Sequence, residues 1–153
     1  LQTRAQGGYI DIGHQFEWSH LLYGAERRGV SPLYGPVAER LLKYGLAVGY
    51  DETDGGVFDR AYPDGSVERA KFWWQQAEAA RALMVAASVT GRNDLWRRYE
   101  QTVNLISEQL VDTENGGWKF GDKRTCASGR CGSEQPDPYH MISMDLTALA
   151  LSK

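Results

Sequence analysis

The stretch GHQFEWSHLL, residues 13 to 22, predicts the helix around which the rest of the chain is organised. One stripe of residues recurs there at helical spacing: His14, Glu17, Trp18, Leu21, Leu22 and Ala25. Such a stripe normally packs against a core, yet its first turn carries an imidazole, a carboxylate and an indole. Because packing gives no reason for this polar start, His14 and Glu17 are candidates for a polar pocket at the helix end. The alternative is a core histidine that is hydrogen-bonded to Glu17.

Length and composition indicate one globular domain that can bury a core. The chain has 153 residues, of which 42% are hydrophobic and 24% charged. The formal net charge of −3 argues against a nucleic-acid partner, because phosphate binding needs a basic face. No apolar run reaches the roughly 18 residues of a membrane span, and no signal-peptide pattern is visible. We therefore expect a cytoplasmic protein with no membrane partner.

Two cysteines, Cys126 and Cys131, lie in a Gly/Ser-rich segment. Two free thiols are the expectation for a reduced cytoplasm, and a local disulfide is the alternative. A zinc site that combines both cysteines with His140 lacks a second C-x-x-C-like pair, so no metal site is expected. No nucleotide-binding loop or metal cluster is visible either, and the sequence predicts no cofactor.

Periodicity and turn residues predict five helices. The first is expected to end near residues 27–29, the second to run from about 31 to 49–51, and the third from 72 to 90. The fourth is expected to start at an Asn93 cap and the last at about 138. The second helix carries Val37, Leu41, Tyr44 and Val48 on one face. Glycine turns at 55–56 and 64–65 indicate a short β-hairpin or an ordered loop between the second and third helices. A long Gly/Ser/Pro-rich loop is expected before the last helix.

An internal repeat relates the two halves of the chain. The pattern DxxxGG occurs at 51–56 and again at 112–117, an offset of 61 residues. Each copy follows the second helix of a pair, so the unit is helix, helix and extended turn. The first helix of successive units opens with His14, Trp74 and His140. Because stacked units place equivalent positions on one face, we expect these groups to converge.

The converging residue types suit a carbohydrate. Trp74 and Glu78 share a helix face, with Trp73 beside them, and indole faces next to carboxylates match the apolar and hydroxyl surfaces of a sugar. Histidines are well matched to moving protons near neutral pH. Core packing of the tryptophans and a capping role for His140 are the alternatives. His20 shows no comparable partner and is expected to be a surface or packing residue.

Three motifs together resemble the N-acylglucosamine 2-epimerase family: GHQFEW at 13–18, KFWWQQAEA at 71–79 and PYH at 138–140. That family includes cellobiose 2-epimerases and mannose- or sulfoquinovose-type aldose–ketose isomerases. The resemblance implies an all-α fold, a toroid of six helical hairpins written (α/α)6, with the sugar site at its centre. About two and a half hairpins cannot close such a toroid. Residues 1–153 are therefore expected to form a single domain, the C-terminal portion of the barrel, joined by a missing N-terminal half or by a second copy in a homodimer.

The resemblance also implies catalytic roles. His14 and His140 would be the acid/base pair that acts at C1 and C2 of the sugar. Glu17 would polarise or orient His14, and Glu78 would hold sugar hydroxyls or assist ring opening.

Substrate binding is implied for a second group of residues. Trp73 would stack on the sugar with Trp74 beside it, and Arg4 would match a substrate-binding arginine of isomerase members. Two positions depart from the family pattern: Ser143 stands where an arginine is common, and Gln135 where some disaccharide epimerases have an aromatic residue. The second departure favours a monosaccharide.

The expected activity is therefore that of a sugar 2-epimerase or an aldose–ketose isomerase, because a C2 proton next to a carbonyl is acidic and its removal gives an enediolate. Reprotonation at C2 gives the epimer, and reprotonation at C1 gives the ketose. A non-catalytic carbohydrate-binding or interaction module on the same fold is the alternative. A glycoside hydrolase could use Glu17 and Glu78 as its carboxylate pair, but the two histidines would then have no role.

Overall fold

Two helical hairpins and one further long helix dominate the structure, a computed structural model that describes residues 7–131 and 136–152. The predicted site residue Arg4 and the departure at Gln135 lie outside the described residues. The helices are α1 (Ile12–Arg27), α2 (Tyr34–Gly49), α3 (Trp73–Thr90), α4 (Asn93–Leu105), α5 (Lys123–Ala127) and α6 (Pro138–Leu151). The strands are β1 (Ile10–Asp11), β2 (Arg60–Ala61) and β3 (Val67–Glu68).

Local capping explains where the long helices begin and end. The Asp11 side chain accepts a hydrogen bond from the His14 backbone N–H at the start of α1, and Asp137 accepts one from Tyr139 at the start of α6. Gly91, with a φ of 70°, ends α3 in the left-handed conformation that favours glycine. The predicted Asn93 cap is wrong by one residue, since Arg92 occupies that position and makes no side-chain capping bond. Five residues of π-helical winding, Ile106–Leu110, then extend α4.

The backbone confirms the 61-residue repeat. In segment 51–56 the backbone N–H of the aspartate donates to the carbonyl oxygen of the second glycine at 2.9 Å, and the N–H of the first glycine donates to the carbonyl oxygen of the aspartate at 2.9 Å. Segment 112–117 makes the same two bonds at the same length. All four glycines have φ between 73° and 81°, which favours glycine over any other residue. The first helix of each unit is tied to its turn in the same way, Ile12 N to Asp59 O at 3.0 Å and Trp73 N to Phe120 O at 3.1 Å.

This register corrects one detail of the predicted repeat. Because α1, α3 and α6 begin at Ile12, Trp73 and Pro138, their third residues are His14, Gln75 and His140. Gln75, and not Trp74, is therefore equivalent to the two histidines.

The predicted β-hairpin is confirmed and is larger than expected. Strands β2 and β3 pair in antiparallel register, and β1, directly before α1, adds a third strand to the sheet. The sheet thereby anchors the first turn of α1.

Close contact through glycine determines how α1 packs on α2. The buried residues of α2 are Gly35, Ala38, Leu42, Gly45 and Gly49. A Cβ atom on Gly45 would lie 2.7 Å from the ring of Phe16, and one on Gly49 would lie closer still to Ile12. Phe16 and Ile12 are completely buried. The glycines therefore allow large side chains of α1 to sit directly against the α2 backbone.

The apolar residues that the sequence places on one face of α1 and of α2 are therefore only partly buried. Val37 and Tyr44 of the predicted α2 face are 41% and 38% exposed. On α1 Leu22 packs against the core, whereas Trp18 and Leu21 of the same stripe are 56% and 44% exposed. An apolar-periodicity count gives glycine no weight, although here glycine marks the packed side.

Helix α3 is the centre of the structure. Thirteen of its eighteen residues are buried, and it contacts α1, α4 and α6. Six of the buried residues are alanine, and their small side chains bring the neighbouring helices close. Three fully buried side chains are polar: Gln75, Gln76 and Glu78.

Between the hairpins and α6 the expected loop contains structure. Helix α5 follows Asp122, whose carboxylate accepts a hydrogen bond from Thr125 N at 2.8 Å. The structure joins Cys126 and Cys131 in a disulfide, so the expectation of two free thiols is wrong and the local-disulfide alternative is adopted. None of the described helices combines the length and the apolar character needed to cross a membrane.

Substituting the packed glycines tests the α1–α2 interface. We expect Gly45→Ala and Gly49→Ala each to lower the free energy of unfolding by about 1–3 kcal/mol, because the added methyl group meets a buried ring or branched side chain. Urea denaturation followed by circular dichroism measures the change.

Gly24→Ala on α1 is the matched control. A Cβ there meets only Arg28 Nη1, the end of a flexible side chain, at 3.0 Å. Removing a helix-interior glycine should then raise stability by about 0.5–1 kcal/mol. A similar loss for all three variants would contradict the proposed close packing.

Candidate active site

The N-terminal turns of α1, α3 and α6 meet and bring the predicted aromatic and imidazole groups together. The ring centroid of Trp74 lies 5.1 Å from that of His14 and 5.7 Å from that of His140. Trp73 contacts the same His140 ring edge-on at 5.6 Å. A Cβ on Gly13 would lie 2.8 Å from the Trp74 ring, so the glycine of the GH pair is what allows His14 to approach the indole.

One carboxylate, that of Glu78, connects three helices below these rings. Its Oε1 atom lies 2.7 Å from His140 Nδ1 on α6, and its Oε2 atom lies 2.5 Å from His20 Nε2 on α1. Arg81, one turn further along α3, donates from Nη1 to both oxygens at 3.0 and 3.2 Å. The Glu78 side chain is 0% exposed. Every oxygen of this buried carboxylate is thus hydrogen-bonded.

These partners keep Glu78 ionised. Burial raises the pKa of the carboxyl, but hydrogen bonds from His20 and His140 and the charge of Arg81 outweigh it and lower that pKa to about 2. An ionised carboxylate can only accept hydrogen bonds. His140 therefore donates from Nδ1, and in the neutral imidazole its Nε2 atom carries a free lone pair that can accept a proton.

His14 is placed differently from His140. Its side chain is 54% exposed, so the alternative of a core histidine is wrong. Glu17 Oε2 lies 3.9 Å from His14 Nε2, which is an ion-pair distance but too long for a hydrogen bond. Asp11 Oδ1 lies 3.7 Å from His14 Nδ1. Two carboxylates therefore flank this imidazole, and the orienting role predicted for Glu17 would act through charge.

The two tryptophans also differ in accessibility. Trp73 is 6% exposed and presents little surface to a ligand. Trp74 is half-buried and contacts both His14 and His140. Between the two, Trp74 is the better placed to meet a sugar, whereas the contacts of Trp73 fix the His140 ring.

Sequence reasoning missed several residues of the site. His20, expected to be a surface or packing residue, is 6% exposed and bound to Glu78. It lies six residues after His14, and this spacing puts it on a different side of the helix from the stripe. The stripe therefore could not predict that His20 belongs to the site. Arg81 lies three residues after Glu78, and this i, i+3 spacing could have identified it.

Gln75, the repeat equivalent of the two histidines, joins the site to the sheet. Its Nε2 atom donates to Asp59 Oδ1 at 3.0 Å, and the other oxygen of Asp59 accepts from Arg130 Nη2 at 3.2 Å. Ser143, the departure on α6, lines a cavity of about 630 Å³ together with His20 and Arg81. Within residues 7–131 and 136–152 no group of three or more His, Cys, Asp or Glu could hold a metal ion.

Acid titration tests the buried carboxylate. The folded-state pKa of Glu78 lies below its ordinary value of 4.5, so its contribution to stability is complete above about pH 4.5 and is lost as the pH falls toward 2. We expect Glu78 to contribute a loss of about 3 kcal/mol over that range in the native protein, and the total loss to be smaller by about this amount in Glu78→Gln. Urea denaturation at each pH measures the free energy of unfolding.

Glu108→Gln is the charge-matched control, since Glu108 is exposed and makes no ion pair within the described residues. Equal pH dependence in Glu78→Gln and Glu108→Gln would show that Glu78 is not the group responsible.

Comparisons with known proteins agree with this architecture. A D-mannose isomerase from Thermobifida fusca is 30% identical over 137 residues, covering 86% of this chain and 34% of that protein. A D-mannose isomerase from Marinomonas mediterranea is 28% identical over 107 residues, covering 69% of this chain and 27% of that protein. The chain thus spans about a third of the length of these curated relatives.

Solved structures show the same fold. A crystal structure of a D-mannose isomerase superposes with a TM-score of 0.79 at 23% identity, covering 92% of this chain and 37% of that one. A cellobiose 2-epimerase from Bacillus thermoamylovorans superposes with a TM-score of 0.77 at 19% identity, covering 93% and 37%. The predicted all-α fold, helical hairpins of an (α/α)6 toroid, is confirmed.

The model of the N-acylglucosamine 2-epimerase (GlcNAc 2-epimerase) family matches residues 4–143, a range that includes all three motifs. The chain belongs to the N-acylglucosamine 2-epimerase family.

Proposed function

We propose that this site isomerises or 2-epimerises a monosaccharide by histidine acid/base chemistry. The observation that carries the proposal is the Glu78–His140 pair, 2.7 Å apart, which leaves His140 Nε2 free to accept a proton next to Trp74 and His14. A carboxylate that fixes the tautomer of a histidine is a common arrangement for a general base.

Each imidazole carries out one proton transfer in the proposed reaction. His140 Nε2 takes the C2 proton of the open-chain aldose, the C2–H electron pair becomes the C1=C2 bond, and the carbonyl electrons move to O1 to give the enediolate. Return of a proton to C1, with transfer of the O2 proton to O1, gives the ketose. Delivery to the other face of C2, from His14, gives the epimer.

The remaining site residues have supporting roles in this proposal. Trp74 offers the sugar its accessible face, whereas Trp73, predicted to stack on the sugar, instead holds the His140 ring. Glu17 and Glu78 act on the two histidines, and Glu78 in its buried position does so without touching sugar hydroxyls. Arg4 is proposed to bind substrate as well.

The names of the relatives favour one substrate class. Two proteins similar to this chain are D-mannose isomerases, so we propose D-mannose as the first aldose to test, with D-fructose as its ketose. We further propose that residues 1–153 form a single domain, the C-terminal portion of an (α/α)6 barrel, which associates with an N-terminal half or with a second copy. No cofactor takes part in the proposed steps, and a cytoplasmic location stays a prediction.

Proton exchange in D₂O tests the proposal. We expect deuterium at C2 of mannose, or formation of fructose or glucose, by NMR. His140→Asn and His14→Asn should each slow this turnover about 10²–10⁴-fold, because each removes an acid/base group, while sugar still quenches tryptophan fluorescence.

Trp96→Phe is the control for Trp74→Phe, since Trp96 lies on α4, 36% exposed and packed on Tyr99. Trp74→Phe should weaken sugar binding, and Trp96→Phe should not. Binding without exchange by the native protein would reject the enzyme in favour of the non-catalytic carbohydrate-binding module.

A further inference from the structure

We propose that His20 is a positioning residue, which holds the Glu78 carboxylate so that its other oxygen orients His140 for proton transfer. This inference rests on the proposed function and adds to it a third histidine, from the same helix as His14. The observation behind it is that both histidines bind the Glu78 carboxylate. His20 Nε2 lies 2.5 Å from its Oε2 atom, and His140 Nδ1 lies 2.7 Å from its Oε1 atom.

Burial leaves the Glu78 carboxylate few possible hydrogen-bond donors. The side chains of His20 and Glu78 are 5% and 0% exposed, so the carboxylate has little access to water as a substitute donor. Arg81 reaches both oxygens from one nitrogen and therefore supplies charge without selecting between them. His20 is bound to Oε2 alone. Removing it would leave that oxygen short of a donor and free the carboxylate to rotate.

The charges around His20 determine the sign of the effect. Glu78 and Arg81 reach it from α3, His140 shares its carboxylate from α6, and Arg27 and Arg28 line the same cavity at the end of α1. Glu78 is the one carboxylate in direct contact with these groups within the described structure. Without the His20 donor, more of its negative charge falls on His140, which favours the protonated imidazole and removes the free base.

Two variants separate positioning from packing. His20→Leu fills the space without a donor, and His20→Gln supplies an amide N–H near the position of Nε2. We expect His20→Leu to lower kcat about 10–100-fold with little change in KM, and to move the acid limb of kcat/KM to higher pH. His20→Gln should recover most of kcat and the native pH profile.

Ser19→Ala is the matched control on the neighbouring residue. Ser19 is fully buried on α1, and its Oγ atom has no hydrogen-bond partner within the described residues. Its loss should leave kcat and the pH profile unchanged. Native kinetics in His20→Leu, or an equal loss in His20→Leu and His20→Gln, would overturn the positioning role.

A readout without turnover distinguishes failure of this inference from failure of the proposed function. The chain has three histidines, so the imidazole N–H signals can be assigned by substitution. We expect the hydrogen-bonded Nδ1–H proton of His140 to give a downfield NMR signal in the native protein and in His20→Gln, and to be lost to solvent exchange in His20→Leu. An unchanged signal in His20→Leu would reject the inference, whether or not any sugar is turned over.

Discussion

A buried negative charge is the constraint on which the rest of this structure depends. Placing an ionised carboxylate out of water costs several kcal/mol unless donors surround it, and Glu78 obtains its donors from α1, from α6 and from its own helix. This requirement holds the first helices of the successive units against each other. One of these contacts engages only Nδ1 of His140, so the group that stabilises the helix junction also orients the proposed base.

The 61-residue repeat explains why such a junction can form. In the first two units the same backbone bond ties the start of the first helix to the turn that follows the second helix, so third helical positions recur at one end of the structure. Glycine and alanine on the packed faces allow the helices to approach closely, as Gly45 does for Phe16. The units then vary the residue at the shared position, with histidine in two of them and Gln75 in the one between, where it serves the sheet through Asp59.

Helix periodicity, glycine turns and the repeat were sufficient to predict the long helices and the meeting of His14, Trp74 and His140. The packed faces of α1 and α2 could not be predicted, because a periodicity count ignores the glycines on which the packing depends. His20 was missed for a related reason: its partner Glu78 lies 58 residues away, and no local spacing announces a contact between helices. The disulfide between Cys126 and Cys131 likewise depends on the turn after α5, which the sequence presented as an unstructured loop.

The central claim is that Glu78 acts through His140, and a double-mutant cycle tests it most directly. Rates of deuterium exchange at C2 of mannose would be measured for Glu78→Gln, His140→Asn and the double variant, with thermal unfolding to show that each is folded. If Glu78 works through His140, its substitution should be costly in the native protein and nearly without effect once His140 is gone. Losses that multiply in the double variant would show that the two residues act independently, which would contradict this account.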